Sequence, residues 1–215
     1  MSLSLIVKSS GVRNFAKLLS ANVVAQVIGL VVYPILTRIY APEDFGLLNL
    51  FLSIGNVLIV LSIVDYYYAI VLPKQEKDAV ALTHVSLLLL LLTTALVAVS
   101  VLFSGQISMW FKSPKLSSYY WLMPFYVLIV GAWNVLNYWY IRKKSFGRIS
   151  GYQISQSVLS AGGKIGVGYA GVLQGGMIYA SVVAPLLSLL TSITLSFRHT
   201  LRPLLAWSWS DIRSQ

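Results

Sequence analysis

Three ionisable residues lie within or at the ends of otherwise apolar stretches, where they could bind a charged ligand. Lys164 falls in the body of one stretch, Arg38 near the end of the first, and Asp65 near the end of the second. An unpaired ammonium in hydrocarbon costs at least about 2.5 kcal/mol, so we expect Lys164 to face a cavity or a partner. Arg38 could equally well reach the polar interface. Asp65 could equally well pair with a nearby lysine.

Polar residues recur on the same stretches at steps of three and four, which place each set on one face of a helix. In a membrane, a polar face lies against protein or water. One such stripe could serve only to join helices by hydrogen bonds worth about 1 kcal/mol. Four stripes together predict a hydrated cavity. They are Asn22, Gln26, Gly29, Tyr33 and Thr37; Asn49, Ser53 and Asn56; Asn134, Asn137 and Tyr138; and Gln153, Gln156, Ser157, Ser160 and Lys164.

The composition indicates that these stretches lie in a membrane. Hydrophobic residues make up 57% of the chain and charged residues 10%, whereas a soluble domain carries about 25% charged residues. This excludes a disordered chain and an ordinary cytosolic enzyme. The net charge is +10, but the basic residues cluster between apolar runs and not on one water-exposed face, so we expect no nucleic-acid partner. The chain has no cysteine and two distant histidines, so we expect no metal site and no cofactor.

The apolar runs between the charges predict an all-α integral membrane bundle of six helices, each long enough to cross a bilayer. GVLQGG (171–176) divides the last two spans. Twelve of the 16 basic residues fall on one side of this arrangement, so both termini are predicted to be cytoplasmic. The N-terminal segment 1–17 lacks a cleavage site and is predicted to be retained. The spans are about 18–40, 45–72, 82–104, 119–141, 150–172 and 176–197, with a cytoplasmic tail at 198–215.

Motifs that would support catalysis are missing from the sequence. We find no pair of acids in a polar loop, no metal-binding histidine spacing and no glycine-rich phosphate loop, and the predicted loops are short. The chain is therefore not expected to be an enzyme, which argues against a membrane glycosyltransferase or polymerase.

Four segments of the chain resemble one family of transporters. They are PILTRIYAPEDFGLLNLFLSI (34–54), YAIVLPKQEKDA (68–79), NYWYIRKKSFGRIS (137–150) and QS…GGKIGVGYAG…GG (156–176). Their order and spacing resemble the first lobe of bacterial polysaccharide flippases, the Wzx-type O-antigen transporters of the multidrug/oligosaccharidyl-lipid/polysaccharide exporter superfamily. Relatives often carry an Arg-Tyr-Glu run before the second segment, where this chain has Asp65-Tyr66-Tyr67.

The resemblance implies transport of undecaprenyl-diphosphate-linked oligosaccharide, as used for lipopolysaccharide, across the bacterial inner membrane by alternating access. Family members have two six-helix lobes, so we expect this chain to be an N-terminal lobe whose partner is the missing lobe or a second copy. The tail WSWSDIRSQ (207–215) resembles the start of an interrupted inter-lobe linker, which suggests a fragment. The residues assigned to substrate are Lys164 and Arg38 for the diphosphate and Asn22, Gln26, Gln153 and Gln156 for the sugars. Asp65 is assigned to ion coupling or an ion pair.

Two other functions remain open at this point. A multidrug exporter of the same superfamily would be expected to place acids in its cavity for cationic drugs, whereas the central ionisable residue here is Lys164. A non-transporting protein, either a scaffold subunit of a polysaccharide assembly complex or an inactive remnant, would also account for six spans without a partner lobe.

Overall fold

The computed structural model describes residues 10–63, 66–172, 174–201 and 204. These residues form an all-α membrane bundle, and no strand occurs among them. The fold class predicted from the sequence is thus confirmed. The α-helices are α1 (Ser10–Ile39), α2 (Pro42–Ile63), α3 (Glu76–Ser100), α4 (Ser104–Trp110), α5 (Met123–Arg142), α6 (Phe146–Tyr169) and α7 (Gly176–Ser196).

Five helical stretches in this described part are long and apolar enough to cross a membrane, so the chain is a multi-pass membrane protein. They are Ala16–Ile39, Pro42–Ser62, Glu76–Trp110, Tyr120–Arg142 and Gly176–Ser196. Helix α6, which contains most of the predicted 150–172 span, has 24 residues and a length of about 36 Å. Because of its polar stripe and its glycines, this helix is less apolar than the five stretches above. The count of six spans therefore stays a prediction.

Helix α2 begins for local reasons. Pro42 occupies the first position and Glu43 and Asp44 the first turn, where acidic side chains complement the helix dipole. The Asp44 carboxylate also accepts a 3.2 Å hydrogen bond from the Ala41 backbone N–H. The helix is described as far as Ile63, and Tyr66–Val71 form a short 3-10 helix where the predicted span continues as α-helix to 72.

The packing divides the long helices into two groups. Helix α6 packs along both α1 and α7, while α5 packs against α3 and α2. Contacts of α7 with α5 and α2 join the groups. Fully buried side chains such as Phe51, Leu90 and Trp139 form the core, and large exposed apolar side chains cover the outer faces, as expected of helices that face lipid.

Arg142, at the end of α5, fixes the loop between α2 and α3. Its guanidinium donates to the backbone carbonyls of Ile70 at 3.3 Å, Pro73 at 2.6 Å and Gln75 at 3.0 Å. A planar group with several donors is suited to hold three carbonyls at once. The loop geometry therefore depends on a residue nearly 70 positions away in the chain.

The neighbours of Arg142 complete the packing at this end of the bundle. Lys143 forms an ion pair with Glu76, and its ammonium lies 5.1 Å from the ring centre of Trp139. The Trp139 indole N–H donates a 2.9 Å hydrogen bond to the Thr200 carbonyl. The end of α5 thus joins the start of α3 to the segment that follows α7.

Candidate functional site

Helix α6 supplies the polar wall of the candidate site. Its residues Gln156, Ser160 and Lys164 recur at steps of four, and all three line two adjoining cavities in the bundle. Gly168 lies against the end of α1 and Gly163 against α7, so the lack of a side chain at these two positions lets both helices approach α6 closely. Because α1 and α7 both pack against α6, the polar face of α6 lines the cavities between these helices and the group formed by α2, α3 and α5.

Lys164 lies at the junction of the two cavities. Its side chain is half-buried, and among the described residues no acidic side chain forms an ion pair with it. Its backbone carbonyl accepts a 2.7 Å hydrogen bond from the Tyr40 hydroxyl. The ammonium therefore has no protein counter-ion in the described part of the chain.

The first chamber, of about 430 Å³, lies between α1, α2 and α6. Its polar lining comes from Asn49, Tyr33, Ser157 and the three α6 residues shared with the second chamber, and it contains no carboxylate. Apolar side chains such as Phe45 and Met177 complete its wall. The Tyr33 ring packs against Phe45, with 5.7 Å between ring centres.

The second chamber, of about 310 Å³, lies between α2, α5, α6 and α7. Trp133 and Tyr152 form part of its wall and stack face to face, with 3.3 Å between ring centres and an angle of 7°. Gln153 Oε1 and Ser181 Oγ are buried and have no hydrogen-bond partner. Such unsatisfied groups are costly unless a ligand or water pairs with them, so this chamber is suited to a polar occupant.

Tyr126 links the second chamber to the polar stripe of α2. Its hydroxyl donates a 3.1 Å hydrogen bond to Asn56 Oδ1, and its ring packs edge-on against Phe51 at 5.6 Å. Gly55 makes room for this ring, since a Cβ at that position would come within 2.5 Å of it.

The structure brings together some of the residues predicted from the sequence and separates others. Gln153, Gln156 and Lys164 line the chambers, as do Gly29, Tyr33 and Asn49 from the predicted stripes. The exposed Asn22, Gln26 and Arg38 are not among the lining residues. Asp65 lies outside the described residues.

Sequence reasoning also missed several lining residues. Ser181 is the first of several serine and threonine residues in the apolar helix α7, and Tyr126 precedes the stripe predicted on its helix. The stripe of Asn134, Asn137 and Tyr138 does not line the chambers. The Tyr138 ring instead contacts Tyr67 at 4.9 Å and Tyr68 at 4.8 Å between ring centres. The sequence does carry a signal for Ser181, because it shares one face of α7 with Ser188 and Ser192 at steps of seven and four.

Comparison with known protein families decides the broader assignment. A family model described as polysaccharide biosynthesis protein matches residues 35–215. The chain belongs to this family. Searches of the curated proteins and of the solved structures gave no match.

Within this polysaccharide biosynthesis protein, the matched region begins just before the end of α1 and includes α2, α6 and α7. It therefore contains every described chamber residue except those contributed by the earlier part of α1. No group of three metal-binding side chains occurs in the part of the chain that the structure describes. The chemistry that the site offers is one cation surrounded by neutral hydrogen-bonding groups and aromatic rings.

Proposed function

We propose that this chain functions as a Wzx-type polysaccharide flippase of the multidrug/oligosaccharidyl-lipid/polysaccharide exporter superfamily. Its substrate is an undecaprenyl-diphosphate-linked oligosaccharide, such as an O-antigen unit. It moves the substrate from the cytoplasmic to the periplasmic leaflet of the bacterial inner membrane, has both termini in the cytoplasm and catalyses no covalent reaction. The family match supports a role in polysaccharide synthesis, and the lining of the chambers supports transport.

The observation that carries the proposal is the half-buried Lys164 at the junction of the two chambers. Its ammonium has no acidic partner among the described residues, so an anionic diphosphate would supply the missing counter-charge. The unpaired Gln153 and Ser181 oxygens would bind sugar hydroxyls. The polyprenyl tail would stay in the bilayer.

Alternating access requires a second wall opposite these chambers. We assign that wall to another six-helix lobe or to a second copy of the chain. Helix α1 supports this assignment, because it packs mainly along α6 and exposes most of its remaining surface. A rocking motion of the two walls about Lys164 would open the site first to one leaflet and then to the other.

The chamber lining argues against a multidrug exporter. A cavity for cationic drugs would place carboxylates beside the ligand, and the described lining contains none. Loss of the gene should therefore reduce surface polysaccharide and leave resistance to cationic drugs unchanged. The opposite pattern would favour the exporter.

Replacement of Lys164 tests the proposal in cells that depend on the gene for surface polysaccharide. Lys164→Met should reduce export about 10- to 100-fold, as expected for loss of a charge-assisted hydrogen bond. The amount of protein in the membrane should not change, and Lys164→Arg should retain part of the activity. The control is Val158→Ala, since Val158 is exposed on the same helix and does not line the chambers. Normal export by Lys164→Met would refute the assignment.

A further inference from the structure

A third cavity, of about 290 Å³, lies between α6 and α7 on the far side of Tyr152 from the second chamber. Tyr152 lines both spaces, and its stack on Trp133 makes it a fixed partition. This crevice contains neither Lys164 nor Gln156. It is therefore separate from the proposed transport site.

The crevice opens toward the region that lipid occupies. Gly147, Gly151 and Leu195 line it and are exposed. A Cβ placed at either glycine would meet no atom within 4 Å, so the two glycines leave an open channel along one side of α6. The lining surface of this channel is mainly apolar, as binding of a hydrocarbon chain requires.

Arg148 supplies a charge at the end of the channel. It lies in the first turn of α6 and lines the crevice. No acidic side chain in the described ranges forms an ion pair with its guanidinium. Lys144 lies exposed just before the helix and adds to the positive potential at this end of the bundle.

Ser188 provides an independent indication of a ligand. Its side chain is 0% exposed, its Oγ has no hydrogen-bond partner, and it lines the same crevice. A buried hydroxyl without a partner costs about 1–3 kcal/mol. A ligand that carries an acceptor oxygen beside a hydrocarbon chain would remove this cost.

We infer that the crevice binds one anionic glycerophospholipid from the leaflet at this end of the bundle. Its phosphodiester pairs with Arg148, one acyl chain lies along Gly147 and Gly151, and an ester oxygen accepts a hydrogen bond from the Ser188 hydroxyl. Basic pockets between membrane helices on the cytoplasmic side are known to bind anionic headgroups, and this end is cytoplasmic in the proposed orientation. The lipid would fix the spacing of α6 and α7 whatever substrate the central chambers carry.

Native mass spectrometry of the full chain, purified in detergent, tests the headgroup contact. Phosphatidylglycerol and phosphatidylcholine with identical acyl chains are the probes. Phosphatidylglycerol should be retained about tenfold better, and Arg148→Gln should remove this preference. The matched control is Lys144→Asn, which removes an exposed charge outside the crevice and keeps a residue that tolerates the positive φ of 53° at this position.

A second pair of variants tests the acyl chain. Gly151→Leu should lower retention of both lipids because its side chain fills the channel. Gly162→Leu should not, since Gly162 is also exposed on α6 with open space around it but lies outside the crevice. Equal retention of the two lipids, or an equal effect of Lys144→Asn and Arg148→Gln, would overturn the inference. So would displacement of phosphatidylglycerol by excess inorganic phosphate, which would show a site for a free anion only.

Discussion

The Tyr40 hydroxyl donates a 2.7 Å hydrogen bond to the backbone carbonyl of Lys164. Burial, and secondarily the negative charge of Asp44, raise the pKa of this hydroxyl, so it remains protonated and continues to donate. The bond ties the end of α1 to the point on α6 whose side chain faces both chambers. The position of the ammonium thus depends on how α1 packs against α6.

Gly168 permits this contact. A Cβ at Gly168 would lie 2.5 Å from Ile39 Cγ2 and 3.0 Å from the Tyr40 hydroxyl oxygen. We expect Gly168→Ala to lower the free energy of unfolding by about 1–3 kcal/mol, because the two helices must move apart. Gly166→Ala is the control, since a Cβ there meets nothing within 4 Å. It should leave stability unchanged or raise it by up to about 1 kcal/mol. Thermal unfolding in detergent measures both, and equal effects would contradict this account of the α1–α6 contact.

Arg142 should hold the loop between α2 and α3 in a fixed conformation. In Arg142→Gln the carbonyls of Ile70, Pro73 and Gln75 lose the guanidinium that binds them. Arg142→Lys should not restore the loop, because an ammonium cannot reproduce a planar fork of donors. Hydrogen–deuterium exchange of residues 70–76 should rise in both variants and not in Lys144→Asn. If Arg142→Lys exchanged its amide hydrogens in this loop as slowly as the wild type, a positive charge alone would be sufficient to hold the loop.

The chambers should contain water. Because the chain has no cysteine, a single Ser160→Cys variant reports on the junction of the chambers without background labelling. Its thiol should react with water-soluble methanethiosulfonates, which require an ionised thiol. An anionic reagent should react faster than a cationic one because Lys164 is nearby. Leu92→Cys, on an exposed position of α3, should remain unreactive in the membrane. If both thiols were equally unreactive, the chambers would contain no water and the polar stripe would serve only to pack the helices.

Ser181→Ala should separate function from stability. The buried Ser181 hydroxyl has no partner, so its removal should leave the free energy of unfolding unchanged or raise it by up to about 1 kcal/mol. Export should fall about fivefold if the hydroxyl binds substrate, as expected for one neutral hydrogen bond. The two readouts are the unfolding temperature and surface polysaccharide. A loss of stability together with unchanged export would assign Ser181 to packing.

The sequence predicts the α6 wall of the site because Gln153, Gln156 and Lys164 lie on one face of one helix. Periodicity shows which residues share a face, but it does not show what lies opposite that face. On α1 the predicted Asn22 and Gln26 are exposed, because this helix packs mainly against α6. On α7 the spacing of Ser181, Ser188 and Ser192 also places them on one face, but it does not show that Ser181 alone of the three lines the second chamber.

The bundle itself follows from the apolar runs, since their lengths match a bilayer. The 3-10 helix at Tyr66–Val71 could not be predicted in this way, because that segment has no charged residue to mark the end of a span. It is accompanied by carbonyl contacts to Arg142, which is distant in the chain. Tertiary contacts of this kind leave no local pattern in the sequence.

Transport by the full gene product in proteoliposomes tests the central claim most directly. The lipid-linked oligosaccharide of the source cell is placed in both leaflets, and periodate added outside oxidises the sugars that it can reach. With the wild-type protein the protected half of the oligosaccharide should become accessible, and with Lys164→Met it should stay protected while Val158→Ala behaves as wild type. Equal exposure of the sugars by the wild-type and Lys164→Met proteins would contradict a transport role for Lys164. No exposure by the wild-type protein would contradict the proposed flippase.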